Sequence, residues 1–173
     1  MKIISKKSQG FTLVELLITL VVVGLLLSLA YPKFAKSNAS SKGQSLGADV
    51  VTLASDITAG YQGQYASVSD AAIVSGSLLK NVGSITNNAG TLTTNMGGTI
   101  SCAPSRLVAN NDSFTCTITS VKDGACPTLA TALGRSSVKL LIAGATVKAP
   151  GVAMDAAKVT CADDDTEFVA TFS

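Results

Sequence analysis

Apolar residues fall along this chain in two regimes. From Gly10 to Pro32 it reads GFTLVELLITLVVVGLLLSLAYP, with no charged side chain between Glu15 and Lys33. An apolar run of about 20 residues is long enough to cross a hydrocarbon layer of roughly 30 Å as a helix. Beyond it the pattern turns periodic. Leu46, Val50, Leu53, Ile57 and Tyr61 follow one another at steps of four, three, four and four, which is one face of an α-helix. Ser45, Asp49, Thr52, Ser55 and Asp56 form the polar remainder. The pattern predicts one helix from about Thr12 to about Ala59, roughly 70 Å long. Such a helix does not fit inside a small domain, so its first half is expected to protrude. Its second half is expected to dock through the Leu46–Tyr61 face. Gly24 and Pro32 interrupt it, and a bend near Leu27–Leu29 is expected, because proline lacks an amide hydrogen and crowds the preceding turn.

After Gly60 the helical pattern stops. Ser69-Asp70 is a cap candidate for a short helix over 69–80. Residues 81–98, rich in Asn, Gly and Thr, read as an irregular loop punctuated at Asn88-Ala89-Gly90 and Gly97-Gly98. Alternation over Thr99–Cys102 and Phe114–Thr119 predicts two strands with a turn at Asn110-Asn111-Asp112. Asp123–Leu133 reads as a helix with Gly134 as its stop. Val138–Ile142 reads as a buried strand, with Ala145–Val147 returning beside it across Gly144. A weak helix over Val152–Lys158 and a last strand over Glu167–Phe172 follow, the strand turning Phe168, Ala170 and Phe172 inward. One long helix followed by an antiparallel sheet with short inserted helices is an α+β architecture.

Composition narrows the chemistry. The chain is 47% hydrophobic and 5% aromatic, and it contains no His and no Trp. Without His the commonest metal ligand and general base are missing, and no Ser-His-Asp or Cys-His site can form. The reading is therefore not an enzyme, with no cofactor. The formal charge is +2, but Lys2, Lys6 and Lys7 all precede the apolar run. Without residues 1–10 the balance is ten basic against eleven acidic residues, too even for a nucleic-acid surface. The three leading lysines favour a cytoplasmic N-terminus. An ordinary signal peptide fits poorly, because Leu29-Ala30-Tyr31-Pro32 would place proline just after the cut. Asp163-Asp164-Asp165 with Glu167 is the acidic cluster. Its spacing does not match a calcium loop, so it reads as a solvated turn and no metal site is expected.

Glu15 is the odd residue within the span. An ionised carboxylate there costs roughly 2.5–3.5 kcal/mol, so it either snorkels to the interface or meets a positive partner. Gly10, Phe11, Thr12, Leu13 and Glu15, followed by an unbroken apolar span, resemble the processing site of a type IV pilin or related pseudopilin. The resemblance implies cleavage after Gly10 by a prepilin peptidase, N-methylation of Phe11, and pairing of Glu15 with the Phe11 amine of a neighbouring subunit. It also implies that the section holding Gly24 and Pro32 loosens when a filament forms. The divisions that follow are a cleaved leader over 1–10, a transmembrane and filament-core helix over 11–32, and a pilin domain over 33–173 that includes the second half of the long helix.

Cys102, Cys116, Cys126 and Cys161 all lie late in the chain. In a domain facing the periplasm or exterior an even count suggests two disulfides, and four cysteines allow three connectivities. Zinc is weak, because no two cysteines stand two to four residues apart. The loop after Tyr61, the helix carrying Cys126 and the late Cys161 before a final strand resemble type IVb pilins of the toxin-coregulated and conjugative thin-pilus kind. That resemblance implies Cys126–Cys161, leaving Cys102–Cys116 across the predicted hairpin. The ten-residue leader and the Gly24 and Pro32 pair lean instead toward the a-type.

The function implied is a structural subunit of a type IV pilus. It would sit in the inner membrane with its C-terminal domain periplasmic, then polymerise on an inner-membrane assembly platform into an extracellular homo-oligomeric filament for adhesion, aggregation or conjugation. Lipid is its partner before assembly, and no nucleic acid is expected. Two other readings share parts of this logic: a pseudopilin of a type II-like secretion system, and a membrane-tethered binding domain that never polymerises.

Overall fold

A computed structural model describes residues 11–161 and 164–173. The chain divides into two compact units, Met1–Ala35 and Lys36–Ser173. The first helix, α1 (Leu13–Tyr61), contributes to both. In the first unit its backbone stays helical through Gly24 and Pro32, and nearly every side chain is exposed.

In the second unit α1 buries Leu46, Val50, Leu53 and Ile57 completely, together with Gly43 and Gly47. This is the face that the periodicity marks, except that Tyr61 is only half-buried. Helix α2 (Asp70–Ser75) follows, with the Ser69 hydroxyl accepting from the Ala72 amide at 3.2 Å. That hydroxyl satisfies one of the amides a helix start leaves free.

Residues 81–98 are not an irregular loop. Strands β1 (Ile85–Asn88) and β2 (Thr91–Thr94) pair antiparallel. Ala89 and Gly90 take φ of 51° and 90° between them. Two consecutive left-handed residues make the tight turn whose twist suits a hairpin. The strands were hidden because Thr and Asn fill them, and the large apolar residues Ile85 and Leu92 are the ones fully buried.

The main sheet has the order β3-β4-β7-β5-β6, every pair antiparallel. Its strands are β3 (Ile100–Arg106), β4 (Asn110–Val121), β5 (Lys139–Ile142), β6 (Ala145–Lys148) and β7 (Thr166–Phe172). The final strand thus lies in the middle. Ile100, Cys102, Phe114, Cys116, Ile118, Leu140, Ile142, Phe168, Ala170 and Phe172 form one buried face that joins the α1 side chains and Cys126, Leu129, Ala130 and Leu133 in a single core. Phe114 stacks on Phe172 at 5.5 Å and meets Tyr65 at 5.0 Å.

Further boundaries differ from the sequence reading, beginning with α2, which stops at Ser75 instead of running to 80. The β3–β4 turn lies at 107–109 rather than at Asn110–Asp112, because Asp112 serves the turn as a cap instead of forming it. Helix α3 (Cys126–Ser136) runs through Gly134. That glycine leaves room for Met154, whose flexible side chain a methyl there would displace. The helix ends instead where the Ser137 amide and hydroxyl both donate to the Leu133 carbonyl. The helix expected over Val152–Lys158 shrinks to one 3-10 turn, Ala156–Lys158, capped by Asp155.

Candidate functional site

Two regions hold the residues that sequence chemistry singles out. The first is the start of α1. Thr12 is its cap: the hydroxyl accepts from the Glu15 amide at 3.3 Å, and its carbonyl accepts from the Leu16 amide at 3.2 Å. Glu15 therefore occupies the first turn, where the positive end of the helix dipole favours a carboxylate. Phe11 is 79% exposed beside it. Gly10 and the rest of 1–10, including the expected cleavage position, lie outside the described residues.

From Leu13 to Leu29 the large apolar side chains are all exposed. The hydroxyls on this stretch turn inward to the backbone: Thr19 donates to the Leu16 carbonyl at 2.9 Å and Ser28 to the Leu25 carbonyl at 2.8 Å. A helix whose polar groups are satisfied internally can stand in lipid or pack against an apolar neighbour. Around Gly24 there is open space, and Pro32 lies within the helix.

The second region is stapled. Cys102 and Cys116 face each other in register on β3 and β4, with Cα atoms 4.1 Å apart, and are joined. Cys126, the first residue of α3, is joined to Cys161, which precedes β7. Of the acidic cluster, Asp163 lies outside the described residues. Asp164 accepts from the Asp123 amide at 3.1 Å and pairs with Lys122 at 3.9 Å, while Asp165 accepts from the Ser120 hydroxyl at 2.7 Å. These carboxylates tie the end of β4 to the approach to β7. Glu167 is exposed on β7.

Sequence reasoning missed several residues that hold this region in shape. Asp49, on the polar side of α1, accepts the Ser84 amide at 2.6 Å and so docks the segment leading into β1. Asp70 accepts the Cys102 amide on the outer edge of β3 at 2.8 Å. Asp112 accepts three consecutive amides, of Leu107, Val108 and Ala109, at 2.8, 2.7 and 2.7 Å. Those bonds, led by Leu107 and Ala109, lower its pKa to about 2. Lys148 donates to the Gly134 and Ser137 carbonyls at 2.8 and 2.5 Å and so caps the end of α3. Gly43 and Gly47 bring α1 against α3. A methyl at Gly43 would lie 2.6 Å from the Ala125 carbonyl, and one at Gly47 2.6 Å from the Ala132 methyl. The sequence signal for the pair was their spacing of four on the docking face.

Comparison with known proteins gives a consistent picture. Residues 5–31 match the prokaryotic N-terminal methylation motif, and residues 48–173 match the family described as PilS N terminal. Among solved structures, the chain is similar to a type IVb pilin from Salmonella typhi at 20% identity. The TM-score is 0.51, and the match covers 74% of this chain and 98% of that one. It is also similar to TcpA, a type IV pilin from Vibrio cholerae El Tor biotype, at 15% identity and a TM-score of 0.57. That match covers 78% of this chain and all of the other. No curated protein sequence matches.

Proposed function

Because this chain belongs to the PilS N-terminal family and is a type IV pilin whose C-terminal domain has the IVb fold, we propose how it is processed and assembled. The subunit enters the inner membrane with residues 1–10 cytoplasmic. Prepilin peptidase cuts after Gly10, and the new Phe11 amine is methylated. Residues 11–32 are the membrane span and later the filament core. Residues 33–173, including the second half of α1, form the domain carried on the outside. On the assembly platform the span exchanges lipid for copies of itself, building an extracellular filament for adhesion, aggregation or conjugation. No step in this sequence asks the subunit for catalysis.

The observation that carries the reading is the exposed apolar surface from Leu13 to Leu29 with a single carboxylate, Glu15, in its first turn. An apolar face of that length drives packing without choosing a register. Glu15 does the choosing: a subunit docked out of step leaves its carboxylate buried and unpaired, which is strongly unfavourable. The Phe11 amine of the neighbour is the partner that relieves it. Glu15→Ala is expected to leave insertion and leader cleavage intact, as read by mass spectrometry of the mature N-terminus, while strongly reducing sheared filaments in electron micrographs. Normal piliation by this variant would remove the pairing role.

A further inference from the structure

The apolar segment ends on residues of a different kind. Tyr31 and Phe34 are 77% and 74% exposed. Their spacing of three places them on one side of α1. Lys33 stands between them in sequence, is exposed, and forms no ion pair among the described residues. From Leu13 to Ala30 the helix rises by about 26 Å, close to the hydrocarbon thickness of a bilayer. Tyr31 and Phe34 therefore fall at the outer boundary of that layer. Aromatic rings with an apolar body collect at this level, and a lysine there reaches lipid phosphates.

We propose that Tyr31, Lys33 and Phe34 form an interfacial anchor that docks onto the anionic headgroup layer of a phospholipid bilayer and fixes the depth of the unassembled subunit. This rests on the reading of α1 as membrane-inserted. Lipid is the occupant for three reasons. The ammonium of Lys33 complements headgroup phosphates, the apolar length matches the hydrocarbon, and the patch continues an exposed apolar surface without a break. Tyr31 contributes a hydroxyl to the polar layer and Phe34 contributes apolar area. The anchor also sets the position of Glu15, which lies sixteen residues earlier and so about 24 Å deeper. That is roughly one turn short of the opposite face, within reach of an incoming amine. A slip of one turn would release the carboxylate to water or draw it toward the midplane.

The chain contains no Trp, so a single introduced Trp reports depth cleanly. Full-length Val22→Trp and Tyr31→Trp chains are reconstituted in vesicles of phosphatidylcholine and phosphatidylglycerol brominated at defined depths. The expected result is that Val22→Trp is quenched most by the deepest bromines and Tyr31→Trp by the shallowest. Adding Tyr31→Ala, Lys33→Gln and Phe34→Ala to the Val22→Trp chain should shift its quenching maximum to another depth. Omitting phosphatidylglycerol should shift the Val22→Trp profile, and should not do so in its Lys33→Gln version. The anchor is overturned if Tyr31→Trp is unquenched or quenched deep, if the triple substitution leaves the profile in place, or if phosphatidylglycerol has no effect, while Val22→Trp still reads deep. An unquenched Val22→Trp overturns the membrane reading itself, and the anchor with it.

Discussion

Gly43→Ala and Gly60→Ala make the same change on the same helix, and they are expected to act in opposite directions. Alanine favours a helix interior over glycine by about 1 kcal/mol, and by less near a helix end. At Gly60 the new methyl meets open space, so a gain of about 0.5 kcal/mol is expected. At Gly43 it would lie 2.6 Å from the Ala125 carbonyl oxygen, 2.7 Å from the Thr128 hydroxyl and 2.8 Å from the Ala125 methyl. That carbonyl cannot swing aside, because it accepts the Leu129 amide at 3.0 Å and the Thr128 hydroxyl at 2.8 Å. Moving α3 away instead would break the Thr128 bond to the Ser40 carbonyl, at 3.3 Å. Overpacking of this kind costs about 1–3 kcal/mol, and the lost bond about 1 kcal/mol. Set against the propensity gain, the net loss is about 1–3 kcal/mol. Calorimetry of the oxidised protein should show Tm falling by about 2–4 °C per kcal/mol for Gly43→Ala and rising slightly for Gly60→Ala. If Gly43→Ala melts at or above the parent temperature, α1 and α3 are not in close contact at this point.

Three further outcomes follow from the second unit. Lys148→Met should cost about 1–2 kcal/mol in urea unfolding, since it leaves the Gly134 and Ser137 carbonyls without their charged donor; an unchanged midpoint would show the cap to be dispensable. Asp112 has a folded pKa of about 2, below its ordinary 3.8, so its contribution is present above about pH 4 and is lost as the pH falls through about 2. Asp112→Asn should flatten the stability profile in that window and leave its shape unchanged above it, as read from unfolding midpoints against pH. Replacing the Cys102–Cys116 pair by alanines should cost about 3 kcal/mol and the Cys126–Cys161 pair about 4 kcal/mol, because the closed loops differ in length at separations of 14 and 35; equilibrium unfolding in the opposite order would reject the loop-entropy account.

What the sequence made legible depends on how locally each feature is encoded. The long helix was visible because its pattern repeats with every turn. The strands bearing Phe114, Cys116 and Ile118, or Phe168, Ala170 and Phe172, announced themselves by alternation. The N-terminal chemistry was readable because Gly10 to Glu15 are contiguous. The β1–β2 hairpin was not: Asn88-Ala89-Gly90 marks a turn, but the Thr and Asn on either side give no apolar alternation to show that it joins two strands. Gly134 misled because the same residue that ends helices also permits close packing, and Met154, twenty positions later, decides between the two. Asp49, Asp70 and Lys148 look like ordinary surface charges until folding brings Ser84, Cys102 and the end of α3 to them. Such partners lie 11 to 35 positions apart, beyond the reach of any local pattern.

The place of β7 governs when the domain can come together. It hydrogen-bonds to β4 on one side and β5 on the other, yet the ribosome makes it after every other strand. Until it arrives, β3–β4 and β5–β6 are separate hairpins with exposed edges, and isolated two-stranded ribbons are marginal in water. Closure of the sheet therefore waits until β7 has been made. A nonsense codon between Lys148 and Thr166 would not trim the sheet but divide it, leaving β3–β4 and β5–β6 as two unjoined hairpins on one chain for quality control to clear.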